Sequence, residues 1–357
     1  MNILQLQTPA LILDKKALEY NVSYMDRLLR ESGLHLRPHY KSHRCIALAK
    51  MQIEHGAVGM TCSKLGEAID LVENGILDIL IANQITQPEK IAQVAALAGK
   101  CHLAICVDDH QNIDDLEEAA RRAGTRIYIF VEYETGMDRC GVSDFDEFLR
   151  LAGHVTKCPH LIFQGIQAYA GHLSHETDQA RRKAASAAVE DKLLQLKKYL
   201  ENHKIPVKDV SGCSTGTIEL RKDMPGVYTE IQAGSYLFMD ASYRTLGLDF
   251  KHSLYVLSSV ISRKNDKFVT DAGVKTCSVD QGDPLLLEDT DPALHPLAMN
   301  EEHIVHHWKD HPFQINQFLH YIPGHCCATI NMYDKIYVYE DSQITDCFAV
   351  TSRGKSF

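Results

Sequence analysis

Eight strand-like segments that alternate with helical patterns constrain the fold of this chain more than any other feature. The strand-like segments lie at residues 36–41, 58–61, 78–82, 103–107, 127–132, 163–169, 207–210 and 230–237. Helical apolar spacing lies between most of them, at residues 64–73, 88–98, 114–123 and 177–202. Eight strand–helix units predict an α/β fold with a closed (β/α)8 TIM-type barrel. The alternative is an open doubly wound sheet, because its elements alternate in the same way.

The chain changes character after about residue 240. Strand-like stretches with little helical pattern between them follow there, at residues 253–262, 268–271 and 335–339. They indicate a separate β domain of about 110 residues, which is within the usual size range of domains. We therefore predict a barrel over residues 10–240 and a β domain over residues 241–357, to which residues 1–9 are joined.

Composition excludes several classes of partner. The net charge of −10 argues against nucleic-acid binding. No apolar run is long enough to span a membrane, and the N-terminus has no signal-peptide pattern. The 11 cysteines are scattered and never spaced as C-x-x-C, which is typical of buried thiols in a reducing compartment. We expect a cytoplasmic protein with no nucleic-acid or membrane partner.

The first predicted barrel strand carries four basic side chains within seven residues. Alternate positions of an extended strand point to one face, which here would hold Arg37, His39, Lys41 and His43. Neighbouring positive charge and burial both lower the pKa of a lysine amine, and a neutral amine is a nucleophile suited to a Schiff base. The alternative interpretation is a solvated basic edge strand.

Small and hydroxyl-bearing residues follow the seventh and eighth predicted strands, at residues 211–217 and 234–236. The loops after these two strands often form a phosphate site in barrels, and backbone N–H groups there can surround an anion. The alternative is two ordinary turns.

Gly212 to Gly216 also fits the G-x-S-x-G pattern of an α/β-hydrolase with Ser214 as nucleophile. That pattern needs a helix directly after the serine, which Pro225 and Gly226 disfavour.

Charged and polar side chains follow the fifth and sixth predicted strands. Glu132 and Arg139 lie at and just past the end of the fifth, and Tyr169 and His172 follow the sixth. Catalytic groups of barrels collect at this edge of the sheet. A salt bridge or a satisfied turn explains each of them alone, but together with Lys41 they favour an active site.

A histidine and a cysteine two residues apart lie near the C-terminus. If this stretch is a strand, His325 and Cys327 share a face, and an imidazole with a thiolate is a good ligand pair for Zn²⁺. Two protein ligands would leave metal positions open for substrate and water. A buried histidine beside a buried cysteine is the alternative. His303, His306 and His307 have helical spacing, which we interpret as a solvated helix face or loop.

Taken in order, these stretches resemble the fold-type III pyridoxal-phosphate (PLP) enzymes of the alanine racemase superfamily. The resemblance is to the group of D-threonine aldolases and eukaryotic-type D-serine dehydratases. It covers nearly the whole chain, through residues 8–10, 37–43, 132–142, 169–172, 211–217, 230–240, 271–275, 301–303 and 325–327. It implies a (β/α)8 barrel with a C-terminal β domain, in agreement with the strand count.

The resemblance also implies roles for individual residues. Lys41 would bind PLP covalently, Arg139 would lie near the ring oxygen, and Tyr169 and His172 would line the ring and substrate side. The phosphate would be surrounded by Thr215, Gly216, Thr217, Gly234, Ser235 and Tyr236. The active site would lie at a homodimer interface, completed by the β domain of the partner.

The metal pair separates the subgroups. By resemblance, His-x-Cys is similar to the zinc-dependent D-serine dehydratases, and His-x-Asp to the D-threonine aldolases. His325 and Cys327 therefore imply Zn²⁺, or another divalent metal, and a dehydratase. One departure is Gly324, where the family usually has asparagine.

The implied reaction is β-elimination of a small D-3-hydroxy amino acid, with D-serine giving pyruvate and ammonia. Lys41 would act as the base for the Cα proton. One alternative is retro-aldol cleavage, for example of D-threonine to glycine and acetaldehyde, with His172 as a base on the β-hydroxyl group. Others are a 3-hydroxyaspartate dehydratase and a non-catalytic PLP-carrier protein.

Overall fold

The computed structural model describes residues 1–222, 226–264, 266–288, 296, 298–307 and 313–357. The chain divides into two compact units. The barrel unit comprises Asp26–Lys41, Leu48–Gly234 and Lys355–Phe357, and the β unit comprises Met1–Met25, Ser42–Ala47 and Ser235–Gly354.

The chain begins with strand β1 (Ala10–Asp14) and helix α1 (Lys15–Ser32). The strands that follow form the sheet of the barrel unit: β2 (His35–Leu36), β3 (Met60–Cys62), β4 (Asp78–Ile81), β5 (His102–Val107), β6 (Ile127–Glu132), β7 (Leu161–Ala168), β8 (Asp209–Gly212) and β9 (Glu230–Ile231). The helices between them are α2 (Ile46–Glu54), α3 (Leu65–Glu73), α4 (Pro88–Leu97), α5 (His110–Ala123), α6 (Phe145–Val155) and α7 (Gln179–Asn202). A strand is present at each of the eight predicted places and the four predicted helices are confirmed, but the first and last predicted strands (36–41 and 230–237) are strands only at Leu36 and at Glu230–Ile231. Helices α2 and α6 were not predicted.

The eight strands are parallel and form a closed ring. Hydrogen-bonded neighbours follow the order β2-β9-β8-β7-β6-β5-β4-β3. The two ends of this order meet at a parallel bridge between His39 and Thr61. There the N–H of Thr61 donates to the carbonyl of Pro38 at 2.9 Å, and that of Val58 donates to Leu36 at 2.9 Å. The predicted (β/α)8 barrel is therefore confirmed, and the open doubly wound sheet is excluded.

Local sequence signals explain where the barrel helices begin and end. The carboxylates of Asp109, Asp144 and Asp178 each accept an N–H of the first turn of α5, α6 and α7. Gly124 ends α5 in the left-handed conformation, with φ of 67°, which glycine adopts without steric cost. Pro88 opens α4, where its missing N–H costs no helical hydrogen bond. No helix of the described residues is long and apolar enough to cross a membrane.

The β unit contains a mostly antiparallel sheet. Its further elements are β10 (Leu254–Lys264), β11 (Lys267–Thr270), β12 (Leu285–Leu286), β13 (Ala298–Met299), β14 (Ile304–His307), β15 (Phe318–Ile322), α8 (Cys326–Ile330), β16 (Lys335–Glu340) and β17 (Gln343–Ala349). The order is β13-β14-β11-β10-β1-β16-β17, and β15 pairs with β10 and β12. Ile12, Tyr255, Leu257 and Ile322 form part of its core.

The compact units differ from the predicted limits of 10–240 and 241–357. Strand β1 pairs antiparallel with β10 and parallel with β16, so it belongs to the β unit and not to the barrel. Residues 235–240 likewise belong to the β unit. The apolar run at residues 10–13 is buried on both faces, a pattern that fits a central strand of the barrel sheet or of the other sheet. The sequence pattern alone therefore does not show to which sheet the strand belongs.

The basic stretch from Arg37 to His43 is not one extended strand. Strand β2 ends at Leu36, and Tyr40–Ser42 forms a 3-10 turn. The prediction that Arg37, His39, Lys41 and His43 share a strand face is therefore wrong, because the turn changes the direction of the side chains after His39.

Candidate active site

A cavity of about 200 Å³ in the barrel unit has Lys41 in its wall. Three of the predicted site residues, Lys41, Arg139 and Tyr169, lie together here. The complete lining is His39, Lys41, Ser63, Ala82, Asn83, Arg139, Cys140, Gln167, Tyr169 and Gln232. The strand ends of the barrel thus bring an amine, a guanidinium and a phenol ring around one space.

Lys41 lies in a 3-10 turn that hydrogen bonds and a buried neighbour hold in place. Its Nζ atom is 5.6 Å from the centre of the Tyr169 ring, and its own N–H donates to His39 Nδ1 at 3.4 Å. The preceding residue, Tyr40, is fully buried and donates its hydroxyl hydrogen to Asp70 at 2.9 Å. The buried tyrosine fixes the turn, while the side chain of Lys41 remains exposed.

The other basic residues of this stretch have separate partners. The guanidinium of Arg37 is buried and pairs with Glu230 and Asp78. His43 lies in the β unit, where its Nδ1 accepts the N–H of Cys45 at 3.2 Å and its ring meets Phe238 edge-on. Of the three, His39 is the residue whose ring contacts Lys41 directly.

Arg139 lies beside a carboxylate and an aromatic ring. Its guanidinium carbon is 5.9 Å from the centre of the Tyr169 ring, and its Nη2 is 3.9 Å from Glu132 Oε1. Burial raises the pKa of Glu132, although a hydrogen bond from Gln84 at 2.6 Å and the charge of Arg139 oppose this effect. The side chain of Arg139 is 50% exposed, so it can contact a bound molecule.

Sequence reasoning missed four polar residues of the cavity wall: Ser63, Asn83, Gln167 and Gln232. Gln232 Nε2 donates to Gln167 Oε1 at 2.7 Å and to Ser211 Oγ at 2.9 Å, which orients both amides. Asn83 donates to the carbonyl of Ser63 at 3.0 Å. The signal that could have found them is a polar side chain at the end of an apolar strand, a position where barrels carry functional groups.

His172 does not line the cavity. It is exposed and lies at the loop of Gly136, where a Cβ atom would be 3.3 Å from His172 Cε1. Nearby, Glu134 accepts the N–H groups of Gly136, Met137 and Asp138. Burial raises the pKa of Glu134, but these hydrogen bonds and the charge of His172 outweigh burial and lower it. His172 thus has an ionised carboxylate as its neighbour.

The turn after β8 is compact and rich in hydroxyl groups. Thr217 Oγ1 accepts the N–H of Ser214 at 3.2 Å, and Thr215 and Thr217 are buried. A Cβ atom on Gly216 would run into the carbonyl oxygen of Ser174 and lie 2.9 Å from its Cα. Glycine at this position therefore allows the turn to pack against the segment after β7.

The remaining predicted phosphate residues are divided between the units. Gly234 is buried in the barrel unit, whereas Ser235 and Tyr236 begin a 3-10 turn of the β unit, Ser235–Leu237. Between Ser214 and Lys222 the described residues contain only the 3-10 turn Ile218–Lys222, and residues 223–225, with Pro225, lie outside the described residues. The helix that a nucleophile elbow requires is absent up to Lys222.

His325 and Cys327 lie at the start of α8 in the β unit, not on a strand as expected. Burial lowers the pKa of His325, but hydrogen bonds and charge attraction from Cys327 and Asp280 outweigh it and raise the pKa to about 9. A hydrogen bond with Cys326 lowers the pKa of the Cys327 thiol, and His325 lowers it further against the effect of burial. Ser235 Oγ lies 3.5 Å from Cys327 Sγ. The structure therefore brings the His325 ring and the Cys327 sulfur together, and the pKa of the thiol is lowered.

Of the three upstream histidines, His303 is exposed and lies outside any helix or strand, as the loop interpretation expects, whereas the interpretation as a solvated helix face or loop is wrong for the other two. His306 and His307 lie on strand β14, and His306 is 1% exposed. Its ring stacks on Phe268 at 5.1 Å and on Tyr321 at 5.6 Å between centres. Burial lowers the pKa of His306 to about 4. Among the described residues no group of three or more His, Cys, Asp or Glu side chains is arranged to hold a metal ion.

Two family models match this chain. Residues 13–242 match the model described as alanine racemase, N-terminal domain, and residues 253–339 match one described as a putative serine dehydratase domain. The first match alone covers more than half of the chain.

Relatives that align over most of the chain include two aldolases and a dehydratase. A 3-hydroxy-D-aspartate aldolase from Paracoccus denitrificans (strain Pd 1222) is 35% identical, over 99% of this chain and 94% of that protein. A D-threonine aldolase from an Arthrobacter species is 33% identical over the same shares. A D-threo-3-hydroxyaspartate dehydratase from a Delftia species (strain HT23) is 29% identical over 92% of each chain.

The fold agrees with these relatives. The crystal structure of a D-threonine aldolase from Filomicrobium marinum superposes with a TM-score of 0.95 and 33% identity, over 99% of this chain and 98% of that one. The predicted resemblance is therefore confirmed. The chain belongs to the alanine racemase-like, fold-type III PLP superfamily, among relatives that are lyases of D-3-hydroxy amino acids.

Proposed function

We propose that this protein is a PLP- and metal-dependent lyase that cleaves the Cα–Cβ bond of a D-3-hydroxy amino acid. The observation that carries the proposal is the position of Lys41 beside Arg139 and Tyr169 in one cavity. The choice of retro-aldol cleavage is supported by the two aldolases that align over 99% of the chain. D-threonine and D-3-hydroxyaspartate are the proposed substrates.

The barrel unit fits PLP by the chemistry of its side chains. The exposed amine of Lys41 suits the aldehyde, the Tyr169 ring offers an aromatic surface, and Arg139 offers positive charge to the ring oxygen. The compact turn at residues 213–217 suits the phosphate, because small residues and hydroxyls allow close approach to an anion. When bound, PLP supplies a ring that withdraws electrons from the substrate Cα.

Two side chains move the proton in the proposed cleavage. His172 lies outside the cavity lining but only three residues after Tyr169, and by resemblance it would take the proton of the β-hydroxyl oxygen of a substrate that extends beyond that lining. The carboxylate of Glu134 would stabilise the resulting imidazolium as the Cα–Cβ bond breaks and the aldehyde leaves. Lys41 then gives a proton to Cα, which yields glycine. Solvent then accepts the proton from His172 and returns one to Lys41, so the net reaction transfers one proton from oxygen to carbon.

His325 and Cys327 would hold the metal ion. Their donor set fits a divalent transition metal such as Zn²⁺, because the imidazole and thiolate lie together and the thiol pKa is lowered. A pair of protein ligands leaves positions open for the oxygen atoms of a substrate, where the ion would supply positive charge. One related structure is a cysteine variant of a D-threo-3-hydroxyaspartate dehydratase in a metal-free form. That description supports a metal ion in such relatives.

The second candidate is β-elimination, with D-serine as the substrate. It is favoured by the Cys327 thiolate, because the resemblance associates His-x-Cys with dehydratases. A D-serine dehydratase from Dictyostelium discoideum is 23% identical over 97% of each chain. In this reaction Lys41 would remove the Cα proton and the β-hydroxyl group would leave with a proton as water. The released 2-imino acid then takes up one water and gives a 2-oxo acid and ammonia.

Product analysis distinguishes the two candidates. The PLP-loaded protein with a divalent metal is incubated separately with D-threonine, D-3-hydroxyaspartate and D-serine. Glycine with an aldehyde supports cleavage, whereas a 2-oxo acid with ammonia supports elimination. The L-isomers serve as controls and should not react. If none of the three D-amino acids gives either product, the proposed substrate class is wrong.

We further propose that the protein acts as a homodimer, which the superfamily resemblance supports. Light scattering after size exclusion should then give twice the mass of one chain. A monomer that retains full activity would contradict this part of the proposal.

A further inference from the structure

A tight backbone contact explains why the residue before His325 is a glycine. A Cβ atom at position 324 would run into the carbonyl oxygen of Gly282 and lie 2.8 Å from that of Ser278. Both are backbone atoms, which cannot swing aside as the end of a side chain can. Residues 278–282 therefore lie against the chain before His325 only because Gly324 has no side chain.

The same segment carries a carboxylate that contacts the imidazole. Asp280 Oδ2 lies 2.8 Å from His325 Nδ1, and Asp280 Oδ1 accepts a hydrogen bond from the Ser278 hydroxyl. An ionised carboxylate only accepts hydrogen bonds, so His325 Nδ1 carries the hydrogen. In the neutral ring the free electron pair is then on Nε2, which is the atom left for a metal ion.

We propose that Asp280 is a positioning residue that fixes the tautomer and ring orientation in which His325 binds the metal ion, and that Gly324 is required for this contact. The inference rests on the proposed metal site of His325 and Cys327. Carboxylate partners of metal-binding histidines make the ligand more basic, and their loss costs about 10–100-fold in metal affinity. Asp280 thus acts on the metal through His325.

Co²⁺ binding to the full-length, PLP-loaded protein tests the role of Asp280, because the absorbance of Co²⁺ reports its imidazole and thiolate ligands. Asp280→Ala is expected to weaken Co²⁺ binding about 10–100-fold. Asp283→Ala is the matched control, since it removes an exposed carboxylate of the same charge three residues further on. The control is expected to bind Co²⁺ as the wild type does.

Gly324→Ala tests the backbone contact. It should weaken Co²⁺ binding to a similar extent, because a Cβ atom displaces the segment that carries Asp280. The double variant Gly324→Ala with Asp280→Ala should bind Co²⁺ as tightly as whichever single variant has the lower Co²⁺ affinity, because both substitutions act through one contact. Additive losses would overturn the role of Gly324. If Gly324→Ala does not fold, the pair of aspartate variants still decides the role of Asp280.

Two outcomes overturn the role of Asp280. Wild-type affinity of Asp280→Ala is one, and an equal loss in Asp280→Ala and Asp283→Ala is the other, since that indicates a general effect of charge. Cys327→Ser separates this inference from the metal site itself. If Cys327→Ser binds Co²⁺ as the wild type does, the assignment of the metal site to His325 and Cys327 is wrong. If Cys327→Ser loses Co²⁺ while Asp280→Ala retains it, the site stands and only the inference fails.

Discussion

Arg37 donates two hydrogen bonds to one oxygen of Glu230, from Nε at 2.9 Å and from Nη2 at 2.7 Å. Arg37 directly follows β2 and Glu230 begins β9, so the pair links the first and last strands of the barrel. Both side chains are buried, and Arg37 also bonds to Asp78 on β4. This buried charge between β2 and β9 therefore serves the fold and not the cavity.

Removing one member of this pair should destabilise the barrel strongly. Arg37→Met leaves the Glu230 carboxylate buried without its partner, which costs about 3–5 kcal/mol. Arg121→Ala, which breaks an exposed pair with Glu118 on α5, should cost less than about 1 kcal/mol. Urea unfolding measures both. Adding Glu230→Gln to Arg37→Met should recover part of the loss, and equal effects of the two single variants would contradict the assignment.

The barrel was predictable because its strands are separated by long helical patterns. Period and spacing located all eight strands, but they do not show which strands pair. The apolar run of β1 therefore looked like part of the barrel, although long-range pairing with β10 and β16 places it in the other sheet. Similarly, His303, His306 and His307 have helical spacing, but antiparallel pairing with β11 places His306 and His307 on a strand.

The sequence singled out residues whose type has a specific chemistry, such as Lys41, which lies in the cavity wall, and Cys327, which lies beside Ser235 in the β unit. The candidate site was not predictable where the role of a residue depends on a distant contact. Nothing local in the sequence connects Asp280 with His325, since 45 residues separate them. In the same way, Gln167 and Gln232 are paired only because β7 and β9 both flank β8.

The close approach of Gly216 to Ser174 predicts a sensitive position for PLP binding. Gly216→Ala should push the turn at residues 213–217 outward, because backbone atoms leave no room for a Cβ atom. Overpacking of this kind costs about 1–3 kcal/mol. Placed on the PLP-bound form, this cost lowers PLP affinity roughly fivefold to 150-fold. Gly153→Ala is the control, since its Cβ atom would lie 3.9 Å from Ile205 Cδ1, an ordinary contact. PLP titration followed by absorbance compares them, and equal affinities would contradict the prediction.

The buried ring of His306 predicts a loss of stability in acid. Its pKa is about 4 in the folded protein and 6.5 when exposed, so the unfolded chain binds more protons between these values. Stability from the neutral ring is therefore complete above about pH 6.5 and is lost as the pH falls to about 4, by up to roughly 3 kcal/mol.

His306→Phe provides the comparison for this pH effect. A phenyl ring keeps the stack with Phe268 and Tyr321 but does not titrate. Urea unfolding between about pH 7.5 and about pH 4 should therefore show a smaller loss in the variant than in the wild type. Parallel curves for the two proteins would show that His306 is not the group that titrates.

Lys41 is expected to anchor PLP and to transfer the Cα proton, because its amine is the one in the cavity wall beside Tyr169. Lys41→Ala should abolish the visible absorbance of covalently bound PLP and lower kcat for D-threonine by about 10²–10⁴-fold. Lys50→Ala, the same change at an exposed position of α2, should alter neither property. Absorbance spectra and steady-state kinetics of the two variants give the answer. If the absorbance survives in Lys41→Ala, another amine holds the cofactor, and the assignment of the cavity must be abandoned.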